Sequence, residues 1–251
     1  MPAKPIDYDS IADIYDLYVT ADYDVAFFTS EVRKVKGPVL ELMSGTGRLS
    51  LPLLEAGAQL TCVDVSRGML DILSRKVARK GLEADVRCQD ARRLELPSRF
   101  ELAILPFQAF MEIVGEESQA ATLAAIHASL SPRGRFICTL HNPAVRRTQV
   151  DGTLRVMGQF PTDEGTLVVS GFETGGQPVV RRLQLFEHFG TDGYLLSKRM
   201  LAMEFTLVER EGFEAMARGA GFRIVELFGG YDREPFDPVT SKVMIWVLER
   251  D

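Results

Sequence analysis

The sequence predicts a doubly wound α/β sheet interrupted late in the chain by an antiparallel β insertion. Three observations carry this prediction. Between Gly37 and His141, short apolar runs alternate with amphipathic stretches, the signature of βα units and a parallel sheet. After Asn142 the texture changes to long alternating segments separated by turn residues, the pattern of an antiparallel meander. From Thr206 the first pattern returns, as one helix followed by two strands.

Composition sets the bounds. With 251 residues, 46% apolar and 25% charged, the chain suits one large domain or one domain carrying an insertion, with a core that needs no staple. Cys62, Cys88 and Cys138 are far apart and lack ligand spacing, which argues against structural zinc and against a disulfide scaffold, and no metal site is expected. A net charge of −6 without a run of five Lys or Arg argues against nucleic acid as partner. MPAKPIDYDS contains no apolar leader core, and no apolar stretch approaches the roughly 18 residues of a membrane span. A cytoplasmic protein without membrane contact is the expectation.

The elements follow in order. PVLELMSG reads as a buried strand, RLSLPLLEAG as a helix closed by Gly57, and QLTCVDV as the next strand. Ser66 is placed to cap the helix GMLDILSRKVARKG, whose Met69, Leu70, Leu73 and Val77 share one face. ADVRCQDA, FELAILPF and GRFICTL supply three more strands, with ESQAATLAAIHASLSPRG as a helix before the last. TLRVMGQF, GTLVVSGFE, VVRRLQLFEHF and YLLSKRMLAMEF form the insertion, turned by ETGGQP and GTDG. Thr206 with Glu209 three residues on predicts a capping box opening LVEREGFEAMARGAG. FRIVELFGG and SKVMIWVLER end the sheet as antiparallel neighbours.

The chemistry concentrates at strand ends. Glu41 closes the first strand, and Gly45 and Gly47 form the turn after it, where the lack of a Cβ lets backbone N–H groups approach a ligand. Asp64 closes the next strand about twenty residues on, the distance at which an acid takes a ribose diol, in bonds of about 1.5 to 3 kcal/mol each. Asp90 and Ala91 follow the third strand, where a carboxylate can accept an adenine amino group. Acid, glycine turn, acid and acid at three successive strand ends describe an adenosine pocket. Arg48, Val65, Met69, Pro106 and Phe107 flank these positions and complete the expected contacts.

These residues resemble the class I S-adenosylmethionine (SAM) dependent methyltransferases. Their first motif reads as an acid followed by three glycines at alternate positions, and ELMSGTGR is similar to it with Met43 at the first glycine's place. That puts a side chain where the backbone normally approaches the cofactor's aminocarboxylate end. The acid at Asp64 and the Asp90–Ala91 pair also match, and the resemblance covers residues 37–141 and 206–250. It implies SAM as cofactor, S-adenosylhomocysteine (SAH) as product, and a Rossmann-like seven-stranded sheet whose last strand is antiparallel. The expected organisation is a helical lid at 1–36, a SAM-binding core at 37–141, a substrate cap at 142–205, and a final helix and two core strands at 206–251.

Within the family, the N-terminal stretch and the insertion are similar to small-molecule N-methyltransferases acting on amino sugars, glycine and azapteridine heterocycles. That resemblance places Tyr15 near the transferred methyl, with Tyr23 at a similar interval; Tyr8, Tyr15, Tyr18 and Tyr23 equally fit the packed face of a helix. LPFQ, Leu105 to Gln108, is not the Asp/Asn/Ser-Pro-Pro-aromatic tetrad of enzymes that methylate nucleic-acid bases, so a small acceptor is favoured. Gln108 and His141, the latter at a central strand's carboxyl end, join Tyr15 as candidate catalytic residues. His127 reads as a helix-surface residue and His188 as a candidate for the pocket roof. Arg155, Arg181 or Arg199 are candidate polar handles among the insertion's aromatics and methionines, and the loop of Tyr231, Asp232 and Phe236 is expected over the same edge.

The expected activity is methyl transfer to a nitrogen, and less readily an oxygen, of a small metabolite such as a planar heterocycle or amino sugar of secondary metabolism, by a monomer or homodimer. An NAD-dependent dehydrogenase shares the glycine turn and ribose acid, but ELMSGTGR lacks the GxGxxG order and no hydride-transfer set is evident. A non-catalytic SAM-binding or assembly protein is the alternative that Met43 supports; the retained acids speak against it.

Overall fold

Seven strands form one sheet in the order β10-β11-β5-β4-β1-β2-β3, and four more form a second sheet in the order β6-β7-β8-β9. The computed structural model describes residues 5–96 and 99–251, so residues 1–4 of the expected lid lie outside it. In the large sheet β1 (Val39–Leu42) lies between β2 (Leu60–Asp64) and β4 (Phe100–Leu105), both parallel to it. β3 (Asp85–Cys88) flanks β2, and β5 (Leu130–His141) flanks β4, again in parallel. β11 (Val243–Arg250) runs antiparallel to β5 and to β10 (Phe222–Phe228), as the sequence predicts.

Apolar runs in the central strands are buried on both faces because helices cover both. On one side, α5 (Glu116–Ser129) and α7 (Arg210–Gly219) bury Leu123, Ile126 and Phe213 against Phe136, Trp246 and Leu105. On the other, α2 (Val25–Val32), α3 (Ser50–Glu55) and α4 (Arg67–Arg79) bury Phe28, Leu53, Leu70 and Leu73 against Val39, Cys62 and Ile104. Ser66 caps α4 as expected, accepting from the Met69 N–H. The strand order reverses between β1 and β4, which opens a crevice at the carboxyl ends of those strands.

The second sheet comprises β6 (Arg155–Thr162), β7 (Gly165–Gly175), β8 (Val179–Gly190) and β9 (Leu195–Thr206), an antiparallel meander as expected. A short helix that the sequence reading does not contain, α6 (Pro143–Arg147), precedes it, capped by Asn142. The N-terminal helix α1 (Ala12–Tyr18) packs between the sheets, its Ala12 and Tyr18 and the preceding Ile11 against Met69 below and Leu167, Val169 and Phe186 above. A row of acids ties it down. Asp9 accepts from the Ser66 hydroxyl and the Gly68 N–H, Asp13 pairs with Arg199, Asp16 with Lys76, and Asp24 with Arg48.

The expected capping box is not formed. Thr206 pairs with Val179 as the last residue of β9, and α7 begins only at Arg210 with Glu209 as its N-cap and no side-chain cap bond. The cause is local burial: Leu207 and Val208 must enter the core, so the chain stays extended through them.

Candidate active site

The turn after β1 keeps the glycine-type backbone throughout. Met43, Gly45 and Gly47 have φ of 55°, 55° and 87°. Met43 thus adopts the left-handed conformation at a cost of about 1 kcal/mol relative to glycine, a strain the surrounding turn sustains. Its side chain forms part of the cavity wall. Gly45 is open toward the cavity, with nothing within 4 Å of where a Cβ would stand. Gly47 serves packing instead, since a Cβ there would lie 2.3 Å from Leu73 on α4. The expectation that Gly47 contacts a ligand is therefore corrected to a close helix approach.

Asp64 is fixed by the turn it faces. Its two oxygens accept the Gly45 N–H at 2.8 Å and the Ser66 N–H at 2.9 Å, and burial raises its pKa above the ordinary value. Each oxygen keeps a lone pair for a ligand hydroxyl. Two cavities meet at Met43, Asp64 and Glu112. The smaller is a slot walled by Val65, Ala91 and Ile113, with Asp90 at its edge. Asp90 is gripped by the Arg92 side chain through three hydrogen bonds of 2.5–2.9 Å, which hold its carboxyl below the usual range.

The larger cavity, about 560 Å³, opens toward α1 and the second sheet. Tyr15, Tyr23, Met69, Phe107, Gln108 and His141 all face it. Tyr8, Tyr15 and Tyr18 also pack edge to face in series, with centroids 6.0 and 5.4 Å apart, so packing and lining coexist. Phe107 and Gln108 are consecutive left-handed residues, at φ 58° and 59°. The turn is pinned by the Gln108 N–H donating to the Thr139 hydroxyl at 3.0 Å, and Tyr23 stacks on Phe107 at 6.4 Å. Tyr231 packs against Tyr23 and lies 3.4 Å from the Gln108 amide, so the expected loop does cover this edge. Burial, followed by the positive charges of Arg146 and Arg182, lowers the His141 pKa to about 4. The imidazole is neutral at physiological pH.

Three further expected contacts stand away from the cavity walls. Glu41 is buried beneath the turn, 4.0 Å from the Cys62 thiol, and burial pushes its pKa up to about 8. Arg48 is held by both oxygens of Asp24 and by the Ala21 carbonyl, with its guanidinium 4.5 Å from the Phe107 ring centroid, so it braces the walls from behind. Pro106 follows β4 without lining either cavity.

The second sheet supplies a different arginine from those expected. Arg155, Arg181 and Arg199 are paired with Asp151, Glu204 and Asp13, outside the cavity. Arg182 and Gln184 of β8 line it, because a one-residue shift along a strand moves a side chain to the opposite face. Met157, Met203 and Phe205 join them on the wall. His188 is not in the roof; it bonds the Thr162 hydroxyl at 2.8 Å near the far end of the sheet.

The residue that sequence reasoning missed is Glu112. It lies in a short 3-10 turn after β4, Ala109–Glu112, and faces both cavities. The Tyr8 hydroxyl donates to its Oε1 at 2.9 Å, and burial pushes its pKa up to about 7, with Arg182 and Tyr8 opposing the shift. The string AFMEIV carries no motif; only its position one turn beyond a strand end of the parallel sheet marked it out.

The observed walls fit an adenosine-bearing cofactor. An apolar slot matches a purine, a turn-bound carboxylate at its mouth matches a ribose diol, and an unobstructed Gly45 leaves room at the turn. Met43→Gly is expected to keep or raise SAH affinity in a calorimetric titration, because it relieves strain and widens this wall. A fall in affinity would show that the Met43 side chain itself contributes to binding.

Comparison with known proteins agrees. A family profile described as a methyltransferase domain matches residues 39–134. Cypemycin N-terminal methyltransferase of a Streptomyces species is 30% identical over 253 residues, covering 99% of each chain. Among solved structures, an S-adenosylmethionine-dependent methyltransferase from Clostridium acetobutylicum superposes with a TM-score of 0.82 at 19% identity, over 97% of this chain and 98% of that one. The CcbJ methyltransferase of Streptomyces caelestis gives 0.80 at 21%, over 97% and 96%. With the site's geometry and a relative similar along its whole length, the chain belongs to the Rossmann-like S-adenosylmethionine-dependent methyltransferases.

Proposed function

We propose that this enzyme methylates an amine nitrogen of a small metabolite. The observation that carries the reading is Glu112, a carboxylate with a near-neutral pKa set among aromatic and methionine side chains in the larger cavity. Amines reach an enzyme as ammonium ions, whose nitrogen has no lone pair. The bound cofactor supplies a sulfonium methyl electrophile. Glu112 accepts one N–H proton of the incoming ammonium on Oε2, the oxygen Tyr8 leaves unbonded, and so exposes the nitrogen lone pair.

The other residues hold the nitrogen in place. Neutral His141 offers a ring nitrogen as hydrogen-bond acceptor, Gln108 presents its amide from the pinned turn, and Tyr15 closes the aromatic wall. Positioning of this kind can supply about 7 to 11 kcal/mol of the barrier reduction. Asp64, Val65, Ala91, Met43, Gly45 and Met69 are the residues assigned to the cofactor. The similar Streptomyces protein is itself named for methylation of an N-terminus, which supports nitrogen as the acceptor. The test is to supply methyl-labelled SAM with amine and hydroxyl acceptors of matched carbon skeleton and to locate the label by mass spectrometry. N-methyl products are expected; label on oxygen alone would overturn the reading.

A further inference from the structure

The roof of the larger cavity contains a polar cluster that binding the cofactor does not require. Glu173 of β7 stands directly across from Arg182 of β8 and accepts from its Nε at 2.5 Å, while Arg146 of α6 grips the other Glu173 oxygen. Two guanidiniums on one carboxylate leave a net positive charge. Both arginines lie 5.5 Å from the centroid of the Phe205 ring, which holds them against the roof. Two residues along β8, Gln184 is only 3% exposed and lines the same cavity. Among the described residues its amide is in no hydrogen bond, nor is Nη1 of Arg182. Both groups line the cavity and are free to donate to a polar ligand atom that enters it.

Across the cavity stands Glu112, whose ionised form the positive charge of Arg182 favours. The chamber is therefore bipolar, acidic toward the cofactor and basic toward the second sheet. Resting on the proposed nitrogen acceptor, we propose that Arg182 and Gln184 form a subsite for a carbonyl or carboxylate oxygen of the acceptor, so that the substrate presents an aminoacyl group with its amine toward Glu112. Arg182 donates from Nη1 and Gln184 from its amide, in charge-assisted and neutral bonds respectively. Two sources share this chemistry, a free amino acid and the N-terminus of a short peptide.

The test titrates L-alanine, L-alaninamide, alanylalanine and 2-aminopropane into SAH-saturated protein. The three carbonyl-bearing probes are expected to bind at least tenfold more tightly than 2-aminopropane. Alanine binding most tightly would point to the free amino acid, and alanylalanine to a peptide terminus; both support the subsite. Arg182→Met is expected to bring all three down to the 2-aminopropane level. Gln184→Leu leaves the ionic cluster paired and is expected to reduce the preference several-fold, which guards against a folding defect in the first variant. A wild-type protein without the preference, or a preference that survives both substitutions, overturns the subsite. Failure of the nitrogen-acceptor reading shows separately, as oxygen-linked label in the transfer assay.

Discussion

Asp64→Ala is expected to weaken SAM and SAH binding by at least tenfold, measured by calorimetry, while the folded state persists. The size follows from losing charge-assisted bonds of about 1.5 to 3 kcal/mol each to a ribose diol. Part of the loss comes from the turn itself, because the Gly45 and Ser66 N–H groups lose the carboxylate that aligns them. The substitution leaves the helices and strands around it packed, so a thermal melt is expected to fall by only a few degrees. Unchanged affinity would remove Asp64 from the cofactor site.

Glu112→Gln is expected to lower kcat by about 100-fold, the low end of what a positioned acid or base contributes, with SAH affinity changed less than threefold. The pH dependence gives an independent readout. Glu112 must be ionised to accept a proton, so wild-type turnover should fall about tenfold per unit below its pKa of about 7. The Gln variant should lack that limb. Stability runs in the opposite direction. A carboxyl raised from 4.5 to about 7 binds its proton more tightly when folded, so its contribution is complete below 4.5 and is lost as pH rises through 7. Glu41, raised to about 8, adds the same sign over a slightly wider window. His141, lowered to about 4, acts with the opposite sign but over a shorter span above pH 5, so the unliganded enzyme should melt at a lower temperature at pH 8.5 than at pH 5, and Glu112→Gln should reduce that difference. Equal losses of kcat and SAH affinity would make Glu112 part of the cofactor wall instead of a catalytic residue.

Much of the fold was legible because its signals are local. The period of apolar residues separates βα units from the meander, and glycines and Ser66 punctuate them where the chain must turn. The grouping of Asp64, Gly45, Asp90 and Ala91 was legible for the same reason, since they sit at strand ends that the parallel sheet brings to one edge. Glu41 and Arg48 were misplaced because strand-end position does not say which way a side chain points; Glu41 turns under the loop and Arg48 turns back to Asp24. The acceptor side was hidden. Glu112 belongs to a single 3-10 turn without periodicity, and choosing Arg182 over Arg181 requires the exact register of an antiparallel pair. The capping box failed because tertiary burial of Leu207 and Val208 outweighed a cap worth about 1 kcal/mol.

The most direct test of the whole arrangement is an experimental structure of the SAH complex. The adenine is expected in the slot between Val65 and Ile113, the ribose hydroxyls on Asp64, and the thioether sulfur turned toward the chamber bounded by Tyr15, Gln108, Glu112 and His141. An adenine lying in the larger cavity, or a sulfur facing away from Glu112, would contradict it.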